Sequence, residues 1–222
     1  MDVRKLVLFG TGDFARVASV YLAKESPYEV AAFTVHEKYR TADTLLGKPV
    51  VPFETLPETH PPAEYAMMVV MGFSHVNQSR ADVYYACKAL GYQLPSYVCS
   101  KATCWGEVEI GDNCFIFENN VLQPFVKIGS NTVLWSGNHV GHDATVGSHC
   151  FITSHTVISG NVRVGDYCFI GVNATLRDGV KVGEKSVIGA GAVVLKDVAP
   201  SSVLKGQAAE LSPVPSHRLR AI

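Results

Sequence analysis

The chain has 222 residues, 47% of them hydrophobic, and a formal net charge of −1. Its 19 Lys and Arg are matched by 20 Asp and Glu and lie scattered, which excludes the basic footprint of a nucleic-acid binder or an anionic-membrane binder. No apolar run reaches the ~18 residues of a membrane span, so no membrane insertion is expected, and a cytoplasmic location is the default.

The N-terminus reads MDVRKLVLFGTG, a strand leading straight into a glycine turn, without the apolar core and cleavage site of a signal peptide. Residues 1–100 are expected to form a small Rossmann-like α/β domain. Lys5–Phe9 is a strand, a helix runs to about Lys24, and Glu29–Val35 is a second strand. Val50–Val51 and Phe53–Leu56 suggest a short strand and helix. Tyr65–Met71 is a buried strand ending at Gly72, Arg80–Leu90 is helical, and Leu94–Val98 is a last strand. Strands alternating with helices imply a parallel sheet, whose ligands sit at the carboxyl ends of the strands.

Gly10-Thr11-Gly12-Asp13-Phe14-Ala15 stands between the first strand and the first helix. Glycines there admit a phosphate to the backbone, and the N–H groups of Gly12, Asp13 and Phe14 open the helix toward an anion. The second strand ends in Thr34-Val35-His36, without the carboxylate that would hold a dinucleotide ribose. A ligand smaller than a dinucleotide is therefore expected. Gly72-Phe73-Ser74-His75 adds a second loop at the same sheet edge, where His36 and His75 can face a ligand or be plain polar loop residues.

Residues 101–222 are expected to form a second domain with a C-terminal tail, and from Val108 to Val198 a six-residue period takes over. Its aliphatics are Ile110, Ile116, Leu122, Ile128, Leu134, Val140, Val146, Ile152, Ile158, Val164, Ile170, Leu176, Val182, Ile188 and Val194. Two residues before each stands a small side chain, such as Cys114, Asn120 or Ala144. Gly often follows directly, as at Gly111, Gly141 and Gly171. Each hexad reads as a short strand and a corner, with the aliphatic and the small residue inward and the Gly easing the bend. Three hexads make one coil of a triangular parallel β-helix, and fifteen make five coils.

The six cysteines contain no CxxC spacing; Cys114, Cys150 and Cys168 fall on the small inward position, where free thiols behave as compact hydrophobes. Asn120 and Asn138 share that position one coil apart and are expected to stack as an amide ladder. Asn138 is also placed to brace the His142 corner. Phe115, Val133, Phe151, Phe169 and Val187 form an outward apolar column, which predicts a homotrimer that buries it.

Four histidines lie close together: His139, His142, His149 and His155. His139 is outward on a strand; His149 and His155 share a corner position on successive faces, and solvated surface roles are expected for all three. His142 sits at a corner beside Asp143, and Gly160 follows one coil later, about 4.8 Å along the axis. A base oriented by a carboxylate, next to a bare backbone N–H, is what acyl transfer requires. His142 and Asp143 are accordingly the expected catalytic pair, and no metal is needed.

The arrays Gly141-His142-Asp143-Ala144-Thr145-Val146-Gly147, Ser159-Gly160-Asn161-Val162-Arg163-Val164-Gly165 and Ile188-Gly189-Ala190-Gly191-Ala192-Val193-Val194 resemble the bacterial sugar acyltransferases of the PglD/NeuD type. The resemblance implies an α/β domain that binds a nucleotide-linked sugar and a left-handed β-helix that binds acetyl-CoA as co-substrate. It further implies a homotrimer with active sites between subunits and a place in O-antigen or polysaccharide biosynthesis. On it, His142 is the general base, Asp143 its partner, and Gly160 the oxyanion donor. Val172, Ala190 and Gly206 fall on acyl-CoA contacts, and Gly10, Gly12, Asp13, Phe14, His36 and Gly72 on the nucleotide-sugar side. A family histidine that helps hold the cofactor falls on Phe151. The implied reaction is acetylation of the amine of a nucleotide-linked 4-amino-4,6-dideoxy sugar. Three alternatives stay open: O-acetylation of a sugar hydroxyl of the sialic acid type, a trimeric zinc carbonic anhydrase, whose histidine spacing is not reproduced here, and a non-catalytic β-helix scaffold.

Overall fold

The computed structural model of the protein describes residues 4–218. The N-terminal sheet comprises β1 (Arg4–Phe9), β2 (Tyr28–Val35), β3 (Thr44–Leu45), β4 (Lys48–Pro52) and β5 (Tyr65–Val69), in the order β3–β4–β2–β1–β5. Every pairing is parallel except β3 with β4. Helix α1 (Asp13–Glu25) buries Phe14, Ala15, Ala18 and Leu22, close to one stripe of a 3.6-residue period. A short α2 (Leu56–Thr59) and then α3 (Gln78–Ala89) complete the domain. The expected elements are present except for Leu94–Val98, of which only Tyr97–Val98 is strand, and it pairs with Phe115–Ile116 of the rod instead of joining this sheet. The strand β3 is an addition: it forms a small hairpin through Leu46 and Gly47, whose φ values are 50° and 73°.

The β-helix is built of two-residue strands in three parallel sheets of seven, six and five members. The first face runs from Tyr97–Val98 to Val203–Leu204, the second from Thr103–Cys104 to Val193–Val194, and the third from Glu109–Ile110 to Lys181–Val182. Pairing advances by eighteen residues per coil, as between His139–Val140 and Val157–Ile158. The rod extends past the fifteen hexads at both ends and takes its first strand from Tyr97–Val98, ahead of residue 101. In the last coil Val187 pairs with Val203, so two residues have been dropped. Nearly all the inward aliphatics and their small companions are buried, forming one continuous core.

The corners correct the role expected of glycine. The bend is made three residues after each aliphatic, where the backbone is left-handed whatever the residue: Asn131, Asp143, His149 and Tyr167 have φ of 56°, 58°, 61° and 61°. Asn and Asp are frequent there because they tolerate that conformation best. The glycine directly after the aliphatic is bare for another reason. A Cβ on Gly141 would lie 2.5 Å from the Gly160 nitrogen, in the backbone of the next coil.

Inside the rod, the Asn138 amide donates to Asn120 Oδ1 at 3.0 Å, and Asn138 Oδ1 accepts from the Thr156 N–H at 2.8 Å. The amide ladder is therefore present and continues by one rung. Asn138 spends its groups on this ladder and on the Trp135 carbonyl, not on the His142 corner.

The outward apolar column is covered by the chain itself. Phe115, Val133 and Phe151 are buried in one cluster with Leu6, Leu8, Phe14 and Phe33 of the α/β domain. Phe14 meets Phe115 with ring centroids 5.5 Å apart, and Phe73 lies on Phe151 and Phe169 at 5.2 and 4.6 Å. Each such buried ring contributes about 2 kcal/mol. The column therefore gives no support to a trimer. Phe151 belongs to this interdomain core, with the Arg80 guanidinium 5.4 Å from its ring centre.

One corner of the rod serves the same docking. Asn113 accepts from the Val69 N–H at 2.8 Å and donates to Asn131 at 2.7 Å, and the Asn131 amide meets His149 Nδ1 at 2.9 Å. Arg80, fully buried, donates to the carbonyls of Gly72, Asn131, His149 and Cys150 at 2.9–3.2 Å and to Asn77 Oδ1 at 3.0 Å. Burial pushes its guanidinium down to about 10. Asn77 in turn donates to the carbonyls of Tyr167 and Cys168. Both terminal nitrogens of Arg80 are bonded, while its Nε is buried without a partner, and the bonds from Asn77 and Arg80 to rod carbonyls fix the docking geometry.

Candidate active site and ligand cleft

The α/β domain carries a cleft of about 390 Å³ at the carboxyl ends of β1 and β2. Gly10, Gly12, Asp13, Phe14, His36 and Gly72 all line it, together with Thr11, Tyr39, Val70 and Met71. The six residues expected to meet the sugar nucleotide are thus brought together. Gly10 has φ of 133°, and a Cβ there would stand 2.7 Å from the Val70 carbonyl, so the tight turn itself requires glycine. Gly12 differs: it precedes the helix with an ordinary extended backbone, and its Cβ would meet nothing within 4 Å. The Asp13 carboxylate turns to solvent beside Arg16 at 3.7 Å. Phe14 offers the cleft its backbone, since its ring is committed to the rod.

His36 packs edge-on against Phe9 and Phe53, and its Nδ1 meets Glu54 Oε1 at 2.9 Å. The other Glu54 oxygen accepts from the Glu37 N–H at 3.1 Å. The His36 ring is the main cause that holds the Glu54 carboxyl below its ordinary value. A carboxylate therefore does stand beyond the second strand, supplied by a segment eighteen residues further along. His75 is exposed, bonds Ser79 Oγ at 3.0 Å and does not line the cleft.

On the β-helix, His142 and Asp143 occupy the corner between the second and third faces, and both are about half exposed. His142 Nδ1 meets Asp143 Oδ2 at 2.9 Å, which leaves Nε2 as the atom that can exchange a proton with a substrate. The His142 N–H donates to Gln123 Oε1 at 2.9 Å, fixing the corner from the coil before. Gly160 lies directly beneath the ring: a Cβ there would be 2.7 Å from Nε2 and 2.9 Å from Cε1. The same point is 3.0 Å from Asp178 Oδ2. Asp178 stands two coils after His142 and went unrecognised in the sequence; a carboxylate thirty-six residues past the histidine is its only signal.

Val172 and Ala190 are exposed on the other edge of the second face, at the corner with the first, and Gly206 joins them there. A Cβ on Gly206 would fall 1.8 Å from the Ala190 carbonyl, so only glycine closes that corner. Within one chain a whole prism face separates Val172, Ala190 and Gly206 from His142 and Gly160.

The remaining histidines separate cleanly. His155 is exposed, with its ring over Gly137, and His139 is half-buried on the second face. His149 is buried, against expectation. Its Nε2 meets Tyr85 Oη at 3.0 Å, Nδ1 meets Asn131, and the ring stacks on Tyr167 at 4.7 Å. Burial is the main cause that lowers its pKa. Among the described residues no group of three or more His, Cys, Asp or Glu is placed to hold a metal ion.

Residues 107–138 and 125–160 match the bacterial transferase hexapeptide family, and residues 161–196 match the hexapeptide repeat of succinyl-transferase. No curated protein matches the chain by sequence. Among solved structures, the acetyltransferase domain of PglB from Neisseria gonorrhoeae is 26% identical with a TM-score of 0.82, over 91% of this chain and 97% of that one. Perosamine N-acetyltransferase from Caulobacter crescentus, solved with CoA and GDP-perosamine, is 26% identical with a TM-score of 0.83, over 91% and 93%. WeeI from Acinetobacter baumannii, 20% identical with a TM-score of 0.80 over 90% and 95%, shares the fold. With a hexapeptide rod and an α/β domain that align with these acetyltransferases along nine-tenths of its length, the chain is an acyltransferase by fold and repeat, similar to the sugar acetyltransferases of the PglD/NeuD type.

Proposed function

We propose that the protein transfers an acetyl group from acetyl-CoA to the amine of a nucleotide-linked 4-amino-4,6-dideoxyhexose. The observation that carries this reading is the His142 corner: an imidazole tied at Nδ1 to Asp143, with Nε2 facing the space left open by Gly160. The sugar nucleotide lies in the cleft of the α/β domain, its phosphates on the N–H groups of Gly12, Asp13 and Phe14 at the start of α1. The amine lone pair attacks the thioester carbon, and the carbonyl π pair moves onto oxygen near the Gly160 N–H. A proton passes from nitrogen to His142 Nε2. Collapse of the oxyanion expels the CoA thiolate, which takes that proton from His142. Asp143 holds the imidazole in the tautomer this requires. The CoA arm runs along Val172, Ala190 and Gly206. The likeness to a perosamine N-acetyltransferase solved with CoA and GDP-perosamine supports both substrates.

Because the His142 and Val172 corners of one chain stand on opposite edges of the second face, the reading requires two copies per site and a closed trimer. The second face, with Val121, His139, Val157, Thr175 and Val193 pointing outward, is the surface for it; Val157 is 37% and Val193 65% exposed in the single chain. Both substrates are cytoplasmic metabolites, which is where the reading puts the protein, in the assembly of a surface polysaccharide.

The test is release of CoA thiol from acetyl-CoA in the presence of UDP-, GDP- and dTDP-linked 4-amino-4,6-dideoxyhexoses. Turnover with one of them is expected; hydrolysis alone, or silence with all, would remove the reading. Gly12→Val checks the cleft, since its Cβ has open space in the free protein. It should raise the Michaelis constant for the sugar and leave that for acetyl-CoA unchanged.

A further inference from the structure

Asp178 has no part in the scheme above, yet its Oδ2 lies within 3.0 Å of the same point that is 2.7 Å from His142 Nε2. The two atoms flank bare Gly160 from opposite sides along the rod. His142 already has one carboxylate partner in Asp143, so a second one at the open nitrogen is more negative charge than a general base needs. A nitrogen seated before Nε2 for attack is within reach of Asp178 as well.

We propose that Asp178 selects an amine over a hydroxyl acceptor, its carboxylate receiving the ammonium group of the incoming sugar beside His142. This rests on the N-acetyl reading of the site. A primary amine is largely protonated at neutral pH, so it arrives as a cation with three N–H bonds. The product amide keeps one of them. One proton leaves to solvent through the Asp178 carboxylate before attack, and His142 takes the other as the C–N bond forms and returns it to the CoA thiolate. During attack by an amine the nitrogen carries positive charge, which a facing carboxylate stabilises. A hydroxyl brings no such charge, and the same carboxylate would then face only the developing oxyanion, which it repels. The geometry points to one residue that rewards nitrogen and penalises oxygen.

The test compares Asp178→Asn and Asp178→Glu with the wild type on whichever 4-amino-4,6-dideoxyhexose nucleotide of the UDP, GDP and dTDP set is acetylated. The matching 6-deoxyhexose nucleotide, with a hydroxyl in place of the amine, serves as competitive inhibitor. Asp178→Asn is expected to lower kcat/KM for the amine about tenfold or more, the size of a hydrogen bond to a charged group. The inhibition constant of the hydroxyl analogue and the KM for acetyl-CoA stay unchanged, and Asp178→Glu recovers part of the loss. Equal weakening of amine and hydroxyl ligands would make Asp178 merely structural. A change confined to the acetyl-CoA KM would place it on the CoA arm, and no change would remove it from the site; each result overturns the proposal. A wild type that acetylates none of the amino sugars overturns the parent reading, and this inference with it.

Discussion

His142 and His149 stand seven residues apart on adjacent corners of one rod, and they show how little the rod itself decides. His142 is half exposed, bonded through one ring nitrogen to a neighbouring carboxylate, with its other nitrogen facing open space. His149 is buried and bonded through both nitrogens, to Asn131 and Tyr85, under the α/β domain. The hexad supplies a corner; what packs on the corner determines whether an imidazole does chemistry or holds structure. Exposure and one free nitrogen leave the His142 ring able to exchange a proton, and two satisfied nitrogens make His149 a strut.

The comparison breaks most visibly at the first histidine. His142→Ala should lower turnover by a factor of about 10² or more, the usual contribution of a general base, with an unchanged Tm. Retained turnover in an intact assembly would show that the corner is not catalytic. His149→Ala should do the opposite. Loss of a buried ring with two hydrogen bonds costs about 3 kcal/mol, seen as a fall of several degrees in Tm, while kcat of the folded protein holds. Gly160→Ala sharpens the contrast, because its methyl must displace the His142 ring that lies 2.7 Å away. Turnover should fall about tenfold with stability nearly intact, since His142 is at the surface and can swing aside.

The smallest effect is one of pH. Burial holds His149 below the value of 6.5 that it has when unfolded, so the unfolded chain takes up a proton that the folded chain resists. The contribution of His149 is therefore complete above about pH 6.5 and is lost as pH falls below it. The wild-type Tm should drop more steeply between pH 6.5 and 5 than that of His149→Gln, measured by calorimetry at matched ionic strength. Parallel curves would mean that the ring is protonated in place.

The strands of the rod were legible because an inward aliphatic every sixth residue leaves no other regular solution, and His142 with Asp143 was legible because sequence neighbours at a corner stay neighbours in space. Other features were hidden for physical reasons. The Phe115–Phe151 column announces burial, but an apolar pattern does not say whether a second copy or the chain's own domain provides the cover. Glycine after the aliphatic looked like a bend, and its reason is the next coil's backbone, which only stacking reveals. Asp178 comes to the Gly160 corner shared with His142, thirty-six residues earlier, through coil register, and Glu54 meets His36 across eighteen residues through a loop without any periodic signal. Arg80 reads as an ordinary helix residue until the carbonyls around it are seen.

A rod of identical coils has no natural origin: slide it by one repeat and its core looks the same to anything that grips it by shape. Arg80 and Asn77 remove that degeneracy, because the carbonyls they hold belong to three particular coils, at Asn131, His149–Cys150 and Tyr167–Cys168. They act as an index mark. The cleft at Gly12 is thereby set at one axial offset from the His142 corner of the same chain, and a slip of the domain by one coil in either direction would leave the Arg80 guanidinium without the carbonyls that hold it.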